Sequence, residues 1–205
     1  MEVKKRMDFP MLYQISAEAE NLTDEWDGII LRAKDGDVEA FGVIFEHNYR
    51  FIYKFIFALT GEQNSAEEMT QEVFLGAFKN IHSLRGDAKL QTWLCGIAKN
   101  IVYKSFRSNR IKEDETVEQL NISDEKNPLP DRQFLSKELN RKIHSALKKL
   151  DGDKRLVFTL KELQNLSYKE ISEITGYRIP KLKTDLRRAK IEMRKMLRPY
   201  VEVKK

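Results

Sequence analysis

The sequence predicts an all-α protein of two small helical domains joined by a flexible acidic linker. Apolar residues recur every three or four positions along most of the 205 residues, and no stretch alternates with the period of a β-strand. An acidic segment with two prolines, residues 111–134, interrupts this pattern. Charge is also segregated, because residues 139–205 hold 19 Lys or Arg and 8 Asp or Glu, net +11, in a chain of net charge +5. Such a basic segment is typical of nucleic-acid binding.

These observations divide the chain into four parts. The first part shows no clear hydrophobic period, and we expect a poorly ordered extension there. The predicted parts are an N-terminal extension (1–23), a first helical domain (24–110), the linker (111–134) and a second helical domain (135–205).

The first domain is predicted to contain four helices. Asp24 is suited to cap the first of them, and Ser65 with Glu68 has the spacing of a capping box at the start of the third. Residues 81–90 are expected to form a loop before the fourth helix. The predicted helices cover residues 24–34, 38–59, 65–80 and 91–107.

The second domain ends in a predicted helix-turn-helix, preceded by helices over residues 135–150 and 153–164. Ser167 and Glu170 have capping-box spacing, and Gly176 stands where the first helix must end. The second helix begins near Pro180, which a first turn tolerates, and Pro199 marks its expected end. Its predicted buried stripe is Leu182, Leu186, Ala189 and Met193.

The outer face of this last helix is the candidate duplex-DNA contact, since such a helix fits the major groove. Its cations suit phosphates, while Asp185 repels phosphate but is able to accept a hydrogen bond from the amino group of cytosine. The predicted contact residues are Lys181, Lys183, Thr184, Asp185, Arg187 and Arg188.

The fourth helix suits single-stranded nucleic acid. Seven Lys or Arg and one acidic residue lie between positions 79 and 110. Cations can follow phosphates, aromatic rings can stack on bases, and an amide can bond a base edge. The period alone equally allows Trp93 in the core and Tyr103 at its boundary. The candidate residues are Trp93, Lys99, Asn100, Tyr103, Lys104 and Arg107.

Catalytic and metal-binding motifs are not evident. The three histidines are far apart, and the single cysteine, Cys95, is expected to pack as a small apolar residue. We therefore expect no enzyme activity, no metal and no cofactor. The absence of a long apolar run and of a signal peptide predicts a cytoplasmic protein.

Four blocks of the sequence resemble the bacterial extracytoplasmic-function (ECF) sigma factors, the two-domain branch of the sigma-70 family. The first block reads Gly-Asp-Val-Glu-Ala-Phe at 36–41, and the second covers 65–78. The third joins Leu-Arg-Gly at 84–86 to Thr-Trp-Leu-Cys-Gly-Ile-Ala-Lys-Asn at 92–100, and the fourth covers 150–197. The order and spacing of the blocks carry the resemblance, because many repressors share a helix-turn-helix.

The resemblance implies a sigma factor that binds core RNA polymerase, at its clamp helices and flap, and directs it to promoters. The first domain would be sigma region 2-like, recognising and melting the −10 element, and the second region 4-like, recognising the −35 element. Arg85 and the single-strand candidates above would hold the −10 bases. The implied polymerase-docking residues are Glu68, Gln71, Glu72 and Leu75.

The resemblance also implies partners. The linker is expected to thread through polymerase toward the RNA path, and an anti-sigma factor is expected to clamp these surfaces. No small-molecule substrate and no insertion into a membrane are expected.

Several positions depart from the family pattern. Arg178 and Pro180 stand where the family often has a small polar residue and a glycine, and Asp185 where it often has a cation. Gly96 replaces a large basic residue of the fourth helix. The −35 sequence is therefore expected to be atypical.

Two other functions stay open at this point. One is a stand-alone helix-turn-helix regulator, which would bind its operator tightly without polymerase. The other is a sigma-mimicking adaptor that does not read DNA, which would need a weakened basic face.

Overall fold

The structure, a computed structural model, describes residues 25–85, 89–113 and 131–201. Side chains are described except those of 109–113, 131–139 and 201. The described residues form α-helices and short helical turns with no strand, which confirms the predicted all-α class. The helices are α1 (25–34), α2 (Val38–Thr60), α3 (Gln63–Asn80), α4 (Leu90–Glu113), α5 (Asp131–Lys148), α6 (Gly152–Phe158), α7 (Tyr168–Thr175) and α8 (Ile179–Val201).

Short turns complete these elements. A 3₁₀ turn at Ile81–Ser83 follows α3, and a π-helical turn at Thr159–Leu163 extends α6. The N-terminal extension, the Asp24 cap, Gly86 and residues 114–130 of the linker lie outside the described residues.

Two local predictions at helix ends are wrong. Helix α3 begins at Gln63, two residues before the predicted capping box, and Ser65 instead donates a 3.1 Å hydrogen bond to the Glu62 carboxylate. Helix α8 continues through Pro199 to Val201, because a proline near a helix end removes only one backbone donor. The ends of the predicted linker, 111–113 and 131–134, belong to α4 and α5.

The described residues 25–47 belong to the first of two compact units. Within it, the Asp37 carboxylate accepts hydrogen bonds from the backbone N–H groups of Glu39 (2.9 Å) and Ala40 (3.1 Å) and caps α2. The Ala40 bond, the Arg32 side chain and the Glu39 bond together lower the pKa of Asp37. The rings of Trp26 and His47 lie 4.5 Å apart. The turn between α1 and α2 is thus held by local polar contacts.

The described residues from 48 to 201 belong to the second compact unit, which includes parts of both predicted domains. Leu94, Cys95, Ala98 and Val102 of α4 are buried, and α4 packs on α3 and α7. All four residues of the predicted stripe of α8 are buried as well. One buried cluster draws on α2, α5 and α8 and consists of Ala58, Ala146, Leu147, Leu150, Ala189 and Met193.

Polar contacts also join the helices after the linker to those before it. Arg155 of α6 donates to the carbonyl of Leu59 at the end of α2, at 2.7 Å. Lys89, just before α4, lies 3.0 Å from the carboxylate of Glu170 in α7. The helices after the linker therefore pack directly against the ends of α2 and α4, while the predicted domain boundaries stay a prediction.

Candidate nucleic-acid interface

The helix-turn-helix forms where its local sequence predicts it. The Ser167 hydroxyl accepts the Glu170 N–H (3.2 Å), and the Glu170 carboxylate accepts the Ser167 N–H (2.7 Å), which confirms this capping box. Gly176 then adopts φ 74°, a left-handed angle that glycine reaches without strain, and α7 ends there. Helix α8 starts three residues later, so the turn and the start of the recognition helix are set by nearby residues.

Glu170 is a strongly perturbed carboxyl group of this motif. Burial raises the pKa of its carboxyl, but the Ser167 hydroxyl and N–H and the Lys89 ammonium outweigh burial and lower it to about 2. A carboxylate that is ionised throughout the physiological range is suited to a helix N-terminus.

The outer face of α8 presents the predicted duplex contacts in two groups. Lys183, Thr184, Arg187 and Arg188 are exposed. Some of them border a basic groove of about 420 Å³, whose size suits a phosphate backbone. The groove is lined by Tyr168, Lys183, Leu186, Arg187, Lys190, Ile191 and Arg194.

Sequence reasoning missed three residues of this groove. Tyr168 and Arg194 contribute an aromatic ring and a cation, and Ile191 is 55% exposed. Arg187, Ile191 and Arg194 are spaced by four and then three residues along one face of α8, which is the signal that would have found Ile191 and Arg194. Tyr168 lies on α7 and has no such signal.

The second group is an ion pair between Lys181, which is exposed, and Asp185, which is not. Asp185 is only 9% exposed, and its carboxylate lies 2.7 Å from the Lys181 ammonium. Lys181 also bonds Asp153 of α6 at 2.8 Å. The Asp185 carboxylate is therefore paired within α8 and is not part of the exposed surface of that helix.

Four of the predicted single-strand residues come together on α4. Lys99, Asn100, Tyr103 and Arg107 line one cleft of about 330 Å³. The other walls of the cleft are Leu156, Thr175 and Tyr177, which belong to the helix-turn-helix half. The three remaining candidates do not line it: Trp93 is half-buried, and Arg85 and Lys104 are exposed.

The structure covers part of this single-strand face. The Lys99 ammonium donates a 3.0 Å hydrogen bond to the carbonyl of Ile174, at the end of α7. The buried hydroxyl of Tyr103 has no hydrogen-bond partner, and burial, followed by the nearby charge of Asp153, raises its pKa to about 12. At neutral pH this phenol is therefore a protonated, unused donor.

The predicted polymerase-docking residues share one exposed face of α3. Glu68, Gln71, Glu72 and Leu75 are all exposed and follow helical spacing. Leu75 is 62% exposed, and Phe78, one turn further, is 42% exposed. An apolar tip bordered by carboxylates and an amide is suited to protein contact.

Metal-binding clusters of His, Cys, Asp or Glu are absent from the ranges that the structure describes. Cys95 is fully buried, and burial raises the pKa of its thiol, as expected for a packing residue. Among the described helices, none is long and apolar enough to cross a membrane.

Comparison with protein families matches both halves of the chain. Sigma-70 region 2 matches residues 44–111, and sigma-70 region 4 matches residues 140–193. The ECF sigma factor SigW of Bacillus subtilis is 31% identical over 179 residues, covering 82% of this chain and 95% of SigW. The sigma-E factor of Haemophilus influenzae is 28% identical over 193 residues, with 89% and 100% covered. BldN of Streptomyces coelicolor is 27% identical over 157 residues, with 76% and 60% covered.

Two solved structures share the fold. The sigma factor RpoE of Bartonella quintana, solved with the anti-sigma factor NepR, has a TM-score of 0.65 at 20% identity, covering 82% of this chain and all of that one. CnrH, solved with the cytosolic domain of CnrY, has a TM-score of 0.62 at 17% identity, covering 83% and 96%.

These two regions in this order define a protein of the sigma-70 class. The chain belongs to the ECF RNA polymerase sigma factors within it. Its function is promoter-specific transcription initiation, and no comparison supports a stand-alone regulator or an adaptor that does not read DNA.

Proposed function

We propose a division of this function among three surfaces of the chain. The exposed face of α3 at Glu68, Gln71, Glu72 and Leu75 docks on core RNA polymerase. The face of α4 at Lys99, Asn100, Tyr103 and Arg107 holds melted −10 bases. The exposed face of α8 contacts the −35 duplex. The observation that carries this division is the convergence of four separate α4 residues on one cleft.

The α4 cleft has the chemistry that single-stranded DNA requires. Opening a duplex costs about 1–2 kcal/mol per base-pair step. A protein with no nucleotide hydrolysis to drive opening offsets that cost by binding the exposed bases. Asn100 offers an amide for a base edge, Tyr103 a ring and a free hydroxyl, and Lys99 and Arg107 charges for phosphates.

The α8 face has the chemistry of duplex contact. Its exposed cations suit phosphates, whose neutralisation releases counterions and makes binding depend on salt. The exposed Thr184, Arg187 and Arg188 are placed to reach base edges.

The proposal requires the packing of α7 on α4 to open. One of the three donors of the Lys99 ammonium is used by the Ile174 carbonyl, and Thr175 and Tyr177 line the cleft that bases would enter. Promoter opening by polymerase carrying this chain is therefore coupled to the departure of α7 from the face of α4.

Run-off transcription tests the proposal as a whole. The full chain with purified core polymerase should start specific transcripts on fragments of its source genome, whereas core alone or the chain alone should not. Absence of any specific start on all fragments would count against it.

Cross-linking tests the opening step. Asn100→Cys with Thr175→Cys places a thiol on each wall of the cleft, and Cys95 can stay because it is buried. A short thiol-reactive linker that joins the two walls should abolish the open-complex formation that the untreated double variant retains, while the same treatment should cause no further loss in either single variant. An unchanged yield of open complex from fully cross-linked protein contradicts the opening step.

The partners and the compartment follow from the same assignment. The chain acts in the cytoplasm with RNA polymerase and catalyses no reaction of its own. RpoE was solved with the anti-sigma factor NepR, and we expect an anti-sigma factor for this chain as well. Affinity purification of the tagged chain from its source, before and after stress, tests that expectation.

A further inference from the structure

We propose that Asp185 is a positioning residue of the recognition helix and not a reader of promoter bases. Together with Asp153 it holds the Lys181 ammonium and so fixes the start of α8. The inference rests on the proposed role of α8 at the −35 duplex. Reading of bases then falls on the exposed Thr184, Arg187 and Arg188.

Four side chains from α6, the turn and α8 form one network. The Lys181 ammonium lies 2.8 Å from one Asp153 oxygen and 2.7 Å from an Asp185 oxygen. The other Asp153 oxygen accepts a 2.8 Å hydrogen bond from the Tyr177 hydroxyl. The same ammonium lies 3.7 Å from the centroid of the Tyr177 ring. Each charge in the network thus has an opposite charge or a donor in contact.

The position of Asp185 on the helix agrees with this role. At about 100° per residue, Asp185 lies only about 60° around the helix from the buried Leu182. Thr184 lies about 160° from Leu182, near the centre of the outer face. Asp185 is correspondingly 9% exposed, whereas Thr184, Arg187 and Arg188 are exposed.

The network supplies what the start of α8 lacks. Arg178 stands where a capping hydroxyl would be useful, and Pro180 in the first turn has no backbone N–H. The first helical hydrogen bond runs from Leu182 N–H to the Arg178 carbonyl at 3.2 Å. Asp153 is itself anchored, because its N–H donates to the Asp151 cap of α6 at 3.1 Å. The network therefore ties the uncapped turn of α8 to a well-capped neighbour.

Charge neutralisation has a second consequence for Lys181. Its single positive charge is matched by two carboxylates in contact, so it adds little attraction for phosphate. Lys183, two residues further along α8, is exposed and lines the basic groove instead. Lys183, and not Lys181, is therefore the phosphate contact of the first turns.

Base preference distinguishes positioning from reading. Holoenzyme carrying each variant would be offered promoter fragments with a randomised −35 region, at a temperature where every variant is fully folded. Asp185→Asn and Asp153→Asn should each weaken binding by about 3- to 10-fold on all sequences alike, keeping the order of preferred sequences. Asp185→Glu, which keeps the carboxylate, should restore most of the loss.

Arg188→Ala serves as the comparison, because it should change the preference at individual base positions. A changed preference at one base position with Asp185→Asn, not shared by Asp153→Asn, would overturn the inference. Full promoter affinity in both Asp185→Asn and Asp153→Asn would also overturn the inference.

Salt dependence supplies the second readout, with matched variants of two lysines. Lys183→Met should reduce the slope of log affinity against log salt by about 0.9, the value for one phosphate contact, and Lys181→Met should leave it unchanged. Equal reduction by both variants contradicts the assignment of Lys181.

A third measurement separates this inference from the proposed function. The effects of Asp153→Asn and Asp185→Asn on the free energy of unfolding, without DNA or polymerase, should be smaller together than their sum. Additive effects overturn the network even where −35 selection by the wild type is normal. Loss of all −35 selection by the wild type overturns the proposed function of α8.

Discussion

At the scale of one residue, a change at Asn100 separates the proposed contact with single-stranded DNA from the proposed contact with the duplex. Asn100 is exposed and lines the α4 cleft, where its amide can bond the Watson–Crick edge of an unpaired base, an edge that pairing hides in a duplex. Asn100→Ala should therefore reduce open-complex formation about 10-fold or more while duplex binding changes less than about twofold. Permanganate footprinting and gel-shift assays of the same holoenzyme measure the two quantities.

Asn64→Ala is the matched control for that experiment, since Asn64 is also exposed but lies in the first turn of α3. It should change neither quantity. Equal losses of opening and duplex binding with Asn100→Ala contradict a single-strand role.

The lowered pKa of Glu170 predicts that the stability of the folded chain depends on pH. Its folded pKa of about 2 lies below the ordinary value of 4.5, so its stabilising contribution is complete above about pH 5. The contribution is lost as the pH falls from 4.5 toward 2, because the unfolded chain then binds the proton first. Thermal melts of wild type and Glu170→Gln should differ most at pH 7, and the difference should shrink by about pH 3.

Lys169→Gln is a suitable control, since it exchanges a neighbouring charged side chain of α7 for the same amide. Its difference from wild type should not follow that pH course. A constant difference between wild type and Glu170→Gln across the range would contradict the lowered pKa.

Helix α3 illustrates an element whose two faces have different tasks. Ala66, Val73 and Ala77 are buried, whereas Leu75 is 62% exposed on the opposite face. Truncation of Leu75 leaves the packed face intact, so Leu75→Ala should change the melting temperature little. An apolar anchor at an interface is worth about 1–2 kcal/mol, so affinity for core polymerase should fall about 5- to 30-fold.

Leu31→Ala provides the matched control, because Leu31 is 60% exposed on α1. It should leave affinity for core polymerase unchanged in fluorescence titrations. An effect of Leu31→Ala as large as that of Leu75→Ala would show that the loss is not specific to the α3 face.

At the scale of the whole molecule, Arg155 joins α6 to the end of α2, on the other side of the predicted linker. Its guanidinium donates to three backbone carbonyls: Leu59 at 2.7 Å, Lys148 at 2.6 Å and Leu150 at 3.1 Å. Arg155→Ala removes all three bonds, and each half-buried carbonyl left unsatisfied costs about 1–3 kcal/mol. We expect a loss of at least about 2 kcal/mol in the free energy of unfolding, measured by urea denaturation.

Arg155→Lys should recover only part of that loss, because an ammonium cannot reproduce the planar fork. Lys149→Ala, at an exposed position of the same turn, should change the free energy of unfolding by less than about 0.5 kcal/mol. Similar losses in Arg155→Ala and Lys149→Ala would contradict the assigned contacts.

Helix signals carried by a few neighbouring residues could be predicted well. The Ser167 capping box, the left-handed Gly176 and the buried stripe of α8 all follow from spacing within a single element. The capping box predicted at Ser65 is wrong because the helix starts two residues earlier, at Gln63. A local pattern does not show which of two nearby starting positions a helix will use. Pro199 failed in a similar way, since its cost near a helix end is small.

The candidate site could be predicted only in part. Helical spacing placed Lys99, Asn100, Tyr103 and Arg107 on one face, and the structure brings these four to one cleft. The same spacing placed Lys181 and Asp185 with the exposed cations, but in the structure Lys181 bonds both Asp185 and Asp153, which belongs to another helix. Periodicity describes one helix and carries no information about which flank a second helix will cover.

The sequence by itself determined the all-α class, the order of the helices, the helix-turn-helix and the surfaces that carry charge. Each depends on hydrophobic period, capping residues or a glycine, which act over a few residues along the chain. Only the tertiary structure decided that α7 lies against Lys99 of α4 and that Lys181, the partner of Asp185 one turn away, also bonds Asp153 of α6. Both depend on contacts between residues far apart in the chain. Burial of apolar surface on α4 and α8 determines which helices pack together. Polar groups then pair with the groups that this packing brings near.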